Sequence, residues 1–398
     1  MKILHVLSGI NPENGGPALA IRGLAIAQQN AGLTPTIVAT YQHESSHAAA
    51  ASFNDRGIEC TLIGKASGKL SRHPDIVPEL ERLIKQSDVV HIHALFEEIQ
   101  VQAGRIARKL GVPYVYRPCG LLDPWSMVRN GWIKRLYIRT RLGKSFAKAA
   151  AMHAVTPIEA DYLKDLNFGS PILMELNGVD LSEFDPMPER GFLRALDKRI
   201  GQRPVVLFLS RISYKKGLDL LVRAFRRILD EHDGPPETKP FLVLAGPDTR
   251  GYGKELDVII DEVKIRDDLL LTGMLHGNDR IKALADGDVF VLSSYEENFG
   301  IAIIEGLAAG LPVLTTNRVG LWPMIKEAGV GIVTEAELEP VYQELKRLLG
   351  DAELRKSLGD KARPWVFETF GWDQIAARWV GHYESLVAAS TRSAPRVP

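Results

Sequence analysis

The sequence predicts an α/β protein built from two doubly wound parallel-sheet domains. Short, continuous apolar runs alternate with longer helical patterns along most of the 398 residues. Runs that are apolar throughout, rather than at every second position, mark parallel strands covered on both faces. The alternation comes in two series. Between them stands a segment rich in turn formers, Asn177-Gly178-Val179-Asp180-Leu181-Ser182-Glu183-Phe184-Asp185-Pro186-Met187-Pro188. Two series and a linker mean two domains, and the length suffices for two full cores.

The first series opens at once. Met1 to Ser8 is too short for a signal peptide and reads as a strand, with its apolar part at residues 3–7. Strands follow at 36–39, 60–63, 89–92 and 114–116, with helical patterns at 18–31, 78–86 and 98–110. The second series places strands at 205–209, 241–245, 269–271, 289–292 and 313–315, with helices at 217–232 and 278–285. A closing helix at 372–389 returns to the first domain. The tail from Ser390 to Pro398, rich in Ser, Arg and Pro, reads as disordered. The expected boundaries are 1–180, 181–370 and 371–398.

Composition narrows the function. Lys plus Arg and Asp plus Glu are both 49, so a nucleic-acid partner gets no support. Cys60 and Cys119 cannot form a disulfide framework, which fits a reducing compartment. No run of about 18 apolar residues is present to span a membrane. A cytoplasmic location is expected.

The chemistry concentrates in Ser293-Ser294-Tyr295-Glu296-Glu297-Asn298-Phe299-Gly300-Ile301-Ala302-Ile303-Ile304-Glu305-Gly306. A buried strand ends just before it, and residues 300–310 read as an almost wholly apolar helix. Glu297 falls in the turn, and Glu305 is the only charge inside the helix. An unpaired charge there costs several kcal/mol, so two ligand hydroxyls are natural partners. The helix start after a Gly-containing turn suits an anion. Phosphate and polyol together describe a nucleotide-sugar.

Other candidates flank this one. Asn14-Gly15-Gly16-Pro17 opens the first helix, where glycines let backbone approach a ligand or simply make a turn. The spacing is not that of the dinucleotide fingerprint. Arg211 and Lys216, in the strand-to-helix turn from Ser210 to Gly217, offer a fork and a point charge for phosphate oxygens; the plain alternative is solvated loop charge. Asp286-Gly287-Asp288 has the D-x-D spacing used for divalent metals, but Asp-Gly before a buried strand reads better as a turn. His91 and His93 share one strand face. A metal would need further ligands that the sequence does not locate, so His93 is either a site residue at a strand end or a satisfied core histidine. Finally, Arg129, Lys134, Arg135, Arg139, Arg141, Lys144 and Lys148 are interleaved with Trp125, Trp132, Ile133, Leu136, Tyr137 and Phe146. That pattern reads as a basic amphipathic helix at a membrane surface, or as a solvated face or site rim.

Taken in order, these motifs resemble the retaining glycosyltransferases of family 4, with the GT-B fold of two Rossmann-like domains facing an interdomain cleft. The E-x7-E signature runs from Glu297 to Glu305 within SSYEENFGIAIIEGLAAGLPVLTT. The segments NGVDLSEF, SRISYKKGLDLLVRAF and FGWDQIA also fit, although Ser210 stands where the family usually has Gly. The resemblance implies a donor-binding second domain and an acceptor-binding first domain. It implies catalytic roles for Glu297, Lys216 and Arg211, with Arg211 and Lys216 on the donor diphosphate and Glu297 on the donor sugar; His93, from its strand end, is the further catalytic candidate. It implies donor contacts from Gly15, Gly16, Met274, Leu275, Asn298, Phe299, Gly300, Ile301 and Glu305, the last on the ribose. No cofactor or metal is implied.

One departure concerns the loop after the fifth strand, Arg117-Pro118-Cys119-Gly120, which lacks the family's usual His. That role is vacant or moves to His93 or Arg117. The run RPCGLLDPW resembles a bacterial polysaccharide and O-antigen subgroup, whose lipid-linked or saccharide acceptors would suit the basic stretch. The expected activity is transfer of a sugar from a UDP- or GDP-linked donor. The alternatives are a nucleotide-sugar 2-epimerase of similar fold and a non-catalytic sugar-nucleotide-binding protein.

Overall fold

The computed structural model describes residues 1–11, 16–128, 130–248 and 251–393. The chain divides into two compact units. One comprises Met1–Gly178 with Trp372–Pro398, and the other is Val179–Gly371.

The first unit holds seven strands, β1 (Lys2–Leu7), β2 (Thr34–Tyr41), β3 (Cys60–Lys65), β4 (Val89–His93), β5 (Tyr114–Arg117), β6 (Ala151–Ala154) and β7 (Ile172–Met174). They pair in the order β3-β2-β1-β4-β5-β6-β7, all in parallel. Side-chain alternation sorts the residues. Leu4, Val6, Val90 and Ile92 enter one core, under helices Ile76–Ile84 and Glu98–Leu110. His5 and His91, paired in register, point to the opposite face. The closing helix, Trp372–Ser393, covers that face with Ile375, Ala376, Trp379 and Tyr383, all fully buried or nearly so. It is seated by two glycines, since a Cβ on Gly23 or Gly178 would lie 2.1 or 2.4 Å from the Trp372 ring. The helix runs to Ser393, so residues 390–393 are helical and not the start of a disordered tail; residues 394–398 lie outside the described residues.

The second unit holds β8 (Val205–Leu209), β9 (Phe241–Ala245), β10 (Leu269–Gly273), β11 (Val289–Leu292), β12 (Val313–Thr316) and β13 (Gly331–Thr334), in the order β10-β9-β8-β11-β12-β13. Helix Leu218–Asp230 buries Leu218, Leu221, Val222 and Phe225 against the sheet at i, i+3, i+4 and i+7. Each such side chain contributes about 1.5–3 kcal/mol when removed from water. The sheet order reverses between β8 and β11, as it does between β1 and β4 in the first unit. At such a reversal, loops leave neighbouring strands in opposite directions and open a crevice at their carboxyl ends.

The stretch from Trp125 to Phe146 is not one helix. It breaks into helices Pro124–Val128, Gly131–Tyr137 and Gly143–Phe146, with a π-helical turn at Ile138–Leu142. Asn130, at φ 57°, interrupts it before Gly131.

Candidate functional site

In the second unit the two loops at the reversal carry the predicted residues. One leaves β8, turns through a 3-10 segment at Tyr214–Lys216, and enters helix Leu218–Asp230. The other leaves β11 and enters helix Ile301–Ala308. They are laced together through the backbone. Tyr295 N–H donates to the Lys215 carbonyl at 2.8 Å, and the Ser293 hydroxyl donates to the Gly217 carbonyl at 2.7 Å. Gly217 sits at φ +60°, and a Cβ there would lie 1.9 Å from the Ser293 carbonyl oxygen. Only glycine permits this approach. On its other side the β11 loop is held by Arg318 and Gly320, through Glu297 N–H to the Arg318 carbonyl at 3.0 Å and Gly320 N–H to the Glu297 carbonyl at 2.8 Å.

This lacing brings Lys216 against Glu297 as a close ion pair, with Lys216 buried and 21% of the Glu297 side chain exposed. Burial pushes the Glu297 carboxyl up. The Lys216 charge and hydrogen bond, the Phe299 backbone N–H and the Arg211 charge outweigh it, and the group ends below its ordinary range. Arg211 itself is exposed. Asn298, Phe299 and Gly300 continue the loop, with Gly300 at φ +82° as the N-cap residue before Ile301. The neighbouring Lys215 and Glu296 form a second close pair.

Glu305 departs from the expectation that it lacks a protein partner. Its side chain is 13% exposed and meets Arg280, from helix Asn278–Asp286, as a close ion pair. Burial pushes the Glu305 carboxyl up, and the Arg280 charge only partly opposes this. Glu297 is likewise paired, so neither carboxylate waits for hydroxyls as an isolated charge. Arg280 carried no periodic or motif signal in the sequence. Met274 and Leu275 lie in the loop between β10 and the Arg280 helix, with Met274 exposed.

In the first unit Gly16 is the first residue of helix Gly16–Asn30 and is exposed; Gly15 lies outside the described residues. His93 ends β4 and is buried, with its Nε2 3.0 Å from His5 Nδ1. The array extends from His5 Nε2 to Gln28 at 2.8 Å. Beside it, His91 Nδ1 lies 2.9 Å from the Tyr383 hydroxyl, and His91 Nε2 lies 3.2 Å from His153 Nδ1. Desolvation lowers the pKa of all four imidazoles, His5 to about 4. His5, His91 and His93 present nitrogens within 4.8 Å of one another. His5 was the neighbour the sequence did not locate, because strand pairing brings it to His91. Arg117, at the end of β5 in register with His93, is buried and donates to Asn177 at 2.6 Å.

Asp286 and Asp288 have structural partners. Asp286 accepts from Gly191 N–H and Leu193 N–H, both at 2.5 Å, at the start of helix Phe192–Leu196. Asp288 accepts from Val205 N–H at 2.7 Å and from Arg190 at 2.8 Å. In the basic stretch, Arg141 is spent on Glu98 at 2.8 Å, while Arg135, Arg139, Lys144 and Lys148 are exposed. Val128 and Trp132 are exposed with them, at 81% and 71%.

The fold defines the class as GT-B, with two doubly wound parallel-sheet units. The same architecture is seen in the crystal structure of Anabaena HepE in complex with UDP, at a TM-score of 0.78 and 17% identity, covering 97% of this chain and 100% of that one. Residues 15–174 match the glycosyl transferase 4-like domain, and residues 193–365 match the glycosyl transferases group 1. The chain belongs to the family 4 glycosyltransferases. Among relatives, an uncharacterised glycosyltransferase of Methanocaldococcus jannaschii is 31% identical over 214 residues, 52% of each chain. The GDP-mannose-dependent alpha-(1-6)-phosphatidylinositol monomannoside mannosyltransferase of Mycobacterium tuberculosis is 27% identical over 250 residues, 61% of this chain and 58% of that protein. The chain thus spans little more than half the length of these relatives. No helix among the described residues is long and apolar enough to cross a membrane.

Proposed function

We propose that the protein is a retaining hexosyltransferase, moving a sugar from a UDP- or GDP-linked donor to a lipid-linked or polysaccharide acceptor without a metal. The donor is assigned to the second domain, residues 181–370, and the acceptor to the first. The observation that carries the reading is the Lys216–Glu297 pair, with Arg211 beside it, at the carboxyl ends of β8 and β11.

The charges have the right sign for this task. A diphosphate placed against Glu297 alone would be repelled. Lys216 has three N–H donors, so it can keep Glu297 and still donate to phosphate oxygens. Arg211 adds a fork. Glu297 then has lone pairs left for hydroxyls of the donor sugar. In the reaction the bond from the anomeric carbon to the diphosphate breaks, and the acceptor oxygen attacks from the same face. The acceptor proton passes to the departing phosphate oxygen. Arg211 and Lys216 stabilise the charge that develops on the leaving group, a task otherwise given to a divalent ion. Similar proteins support a nucleotide-linked donor: one is seen in complex with UDP and another is GDP-mannose-dependent. His93 and Arg117, at neighbouring strand ends, enter the proposal as the groups that shape the acceptor side.

The exposed Val128, Trp132, Arg135, Arg139 and Lys144 support contact with an anionic membrane surface, at its cytoplasmic face in this reading.

The reading is tested by screening UDP- and GDP-sugars for thermal stabilisation, then following transfer by NMR with EDTA present. Product of unchanged anomeric configuration is expected. Inversion, or loss of activity in EDTA restored by a divalent ion, would overturn the mechanism. Conversion of the donor to its 2-epimer without an acceptor, with the sugar–diphosphate bond intact, would instead establish the epimerase alternative.

A further inference from the structure

Helix Ile301–Ala308 is apolar apart from Glu305, so its carboxylate sits where a lone charge is unfavourable. Arg280 is the one cation acting on it among the described residues. The guanidinium is held at both ends. Its Nη2 donates to Glu183, in the 3-10 turn Leu181–Phe184. Its Nη1 meets Glu305 Oε1 as a close ion pair. Arg280 therefore balances the Glu305 charge through Oε1, and the remaining lone pairs of the carboxylate can still accept hydroxyls. It also stands in the first turn of the helix that follows Met274 and Leu275, so one short segment links that loop to Glu305.

We propose that Arg280 is a positioning residue for donor binding, keeping Glu305 ionised and aimed so that it accepts the ribose hydroxyls of a nucleoside diphosphate. The inference rests on the donor-site reading above and adds a residue that the reading does not contain. An ionised carboxylate accepts from two hydroxyls, whereas a protonated one gives up part of that capacity. Removing the guanidinium leaves a buried, unbalanced carboxylate, which neutralises by taking a proton.

The test is isothermal titration of UDP and GDP, and of their 2′,3′-dideoxy forms, into the wild-type protein, Glu305→Gln, Arg280→Gln and Arg280→Lys. The wild type should prefer the ribo form of the bound nucleotide by about tenfold or more. Glu305→Gln and Arg280→Gln should both erase that preference while binding the dideoxy form as the wild type does. Arg280→Lys keeps the charge but cannot reach both carboxylates, so it should show an intermediate preference. If Arg280→Gln fails to fold, the lysine variant decides, and wild-type discrimination in it overturns the inference. Discrimination lost in Glu305→Gln but intact in Arg280→Gln also overturns the inference and leaves the donor-site reading standing. Equal binding of ribo and dideoxy forms by the wild type overturns the ribose assignment of Glu305 and this inference with it.

Discussion

Lys216 and Glu297, 81 residues apart in the chain, form one close ion pair across two loops that leave adjacent parallel strands. Each loop is short and backbone-bonded to the other, so the pair is held by the sheet rather than by side-chain packing. The cation is buried and the carboxylate mostly so, which makes each the other's main electrostatic partner.

Breaking the pair should cost activity and stability together. Lys216→Ala and Glu297→Ala should each lower kcat/KM by about 100-fold or more, with a stability loss of about 1–3 kcal/mol from the charge left behind. The double variant Lys216→Met/Glu297→Gln should lose about 1 kcal/mol less than the sum of its two single changes, measured by urea unfolding. Strict additivity would mean that the pair is not coupled.

Gly217→Ala should be far more damaging than a one-methyl change suggests. Its φ of +60° disfavours any side chain, and the Ser293 carbonyl occupies the space a Cβ needs. The loops must separate, which moves Lys216. A fall in melting temperature together with at least a tenfold loss of donor affinity is expected. A variant with wild-type affinity would show that the lacing does not position the lysine.

The histidine array sets an acid limit. His5 has a native pKa of about 4 against an ordinary 6.5, because burial disfavours its charged form, and His91, His93 and His153 shift the same way. A depressed pKa means that the unfolded chain binds protons more readily. Stability is therefore complete above about pH 6.5 and falls as pH drops from there toward 4. His5 alone should remove about 2 kcal/mol by pH 5. Chemical denaturation at pH 7.5 and pH 5 checks this, and equal stability at both would contradict it.

Much of this was legible in the sequence, and the gaps have physical causes. The strands rich in Val, Ile, Leu and Phe were readable because a parallel sheet covered on both faces demands unbroken apolar runs. β6, β7 and β13 were not, since Ala151–Ala154, Ile172–Met174 and Gly331–Thr334 are too short to separate from helix by pattern. The E-x7-E carboxylates were visible, but their counter-ions were not equally so. Lys216 lies in a recognisable turn, whereas Arg280 is one polar residue on an ordinary helix and meets Glu305 only through tertiary packing. His5 joined His91 by register, which no single strand reveals. The basic stretch was readable as charge interleaved with aromatics, but its breaks at Asn130 and the π-helical turn were not.

The surface of that stretch gives a further test. Neutralising Arg135, Arg139 and Lys144 to Gln should weaken binding to anionic vesicles by about a hundredfold at low salt, given about 1 kcal/mol for each basic residue near the surface. Trp132→Ala should weaken it independently of salt. Vesicle sedimentation reports both, and unchanged binding in the triple variant would remove the membrane assignment.

Titration of UDP and GDP into the wild-type protein and Lys216→Ala, with circular dichroism to confirm that both are folded, probes the donor site itself. One nucleotide should bind the wild type, and Lys216→Ala should bind it at least about tenfold more weakly. Equal affinity in the two folded proteins would contradict a diphosphate held at the Lys216–Glu297 pair.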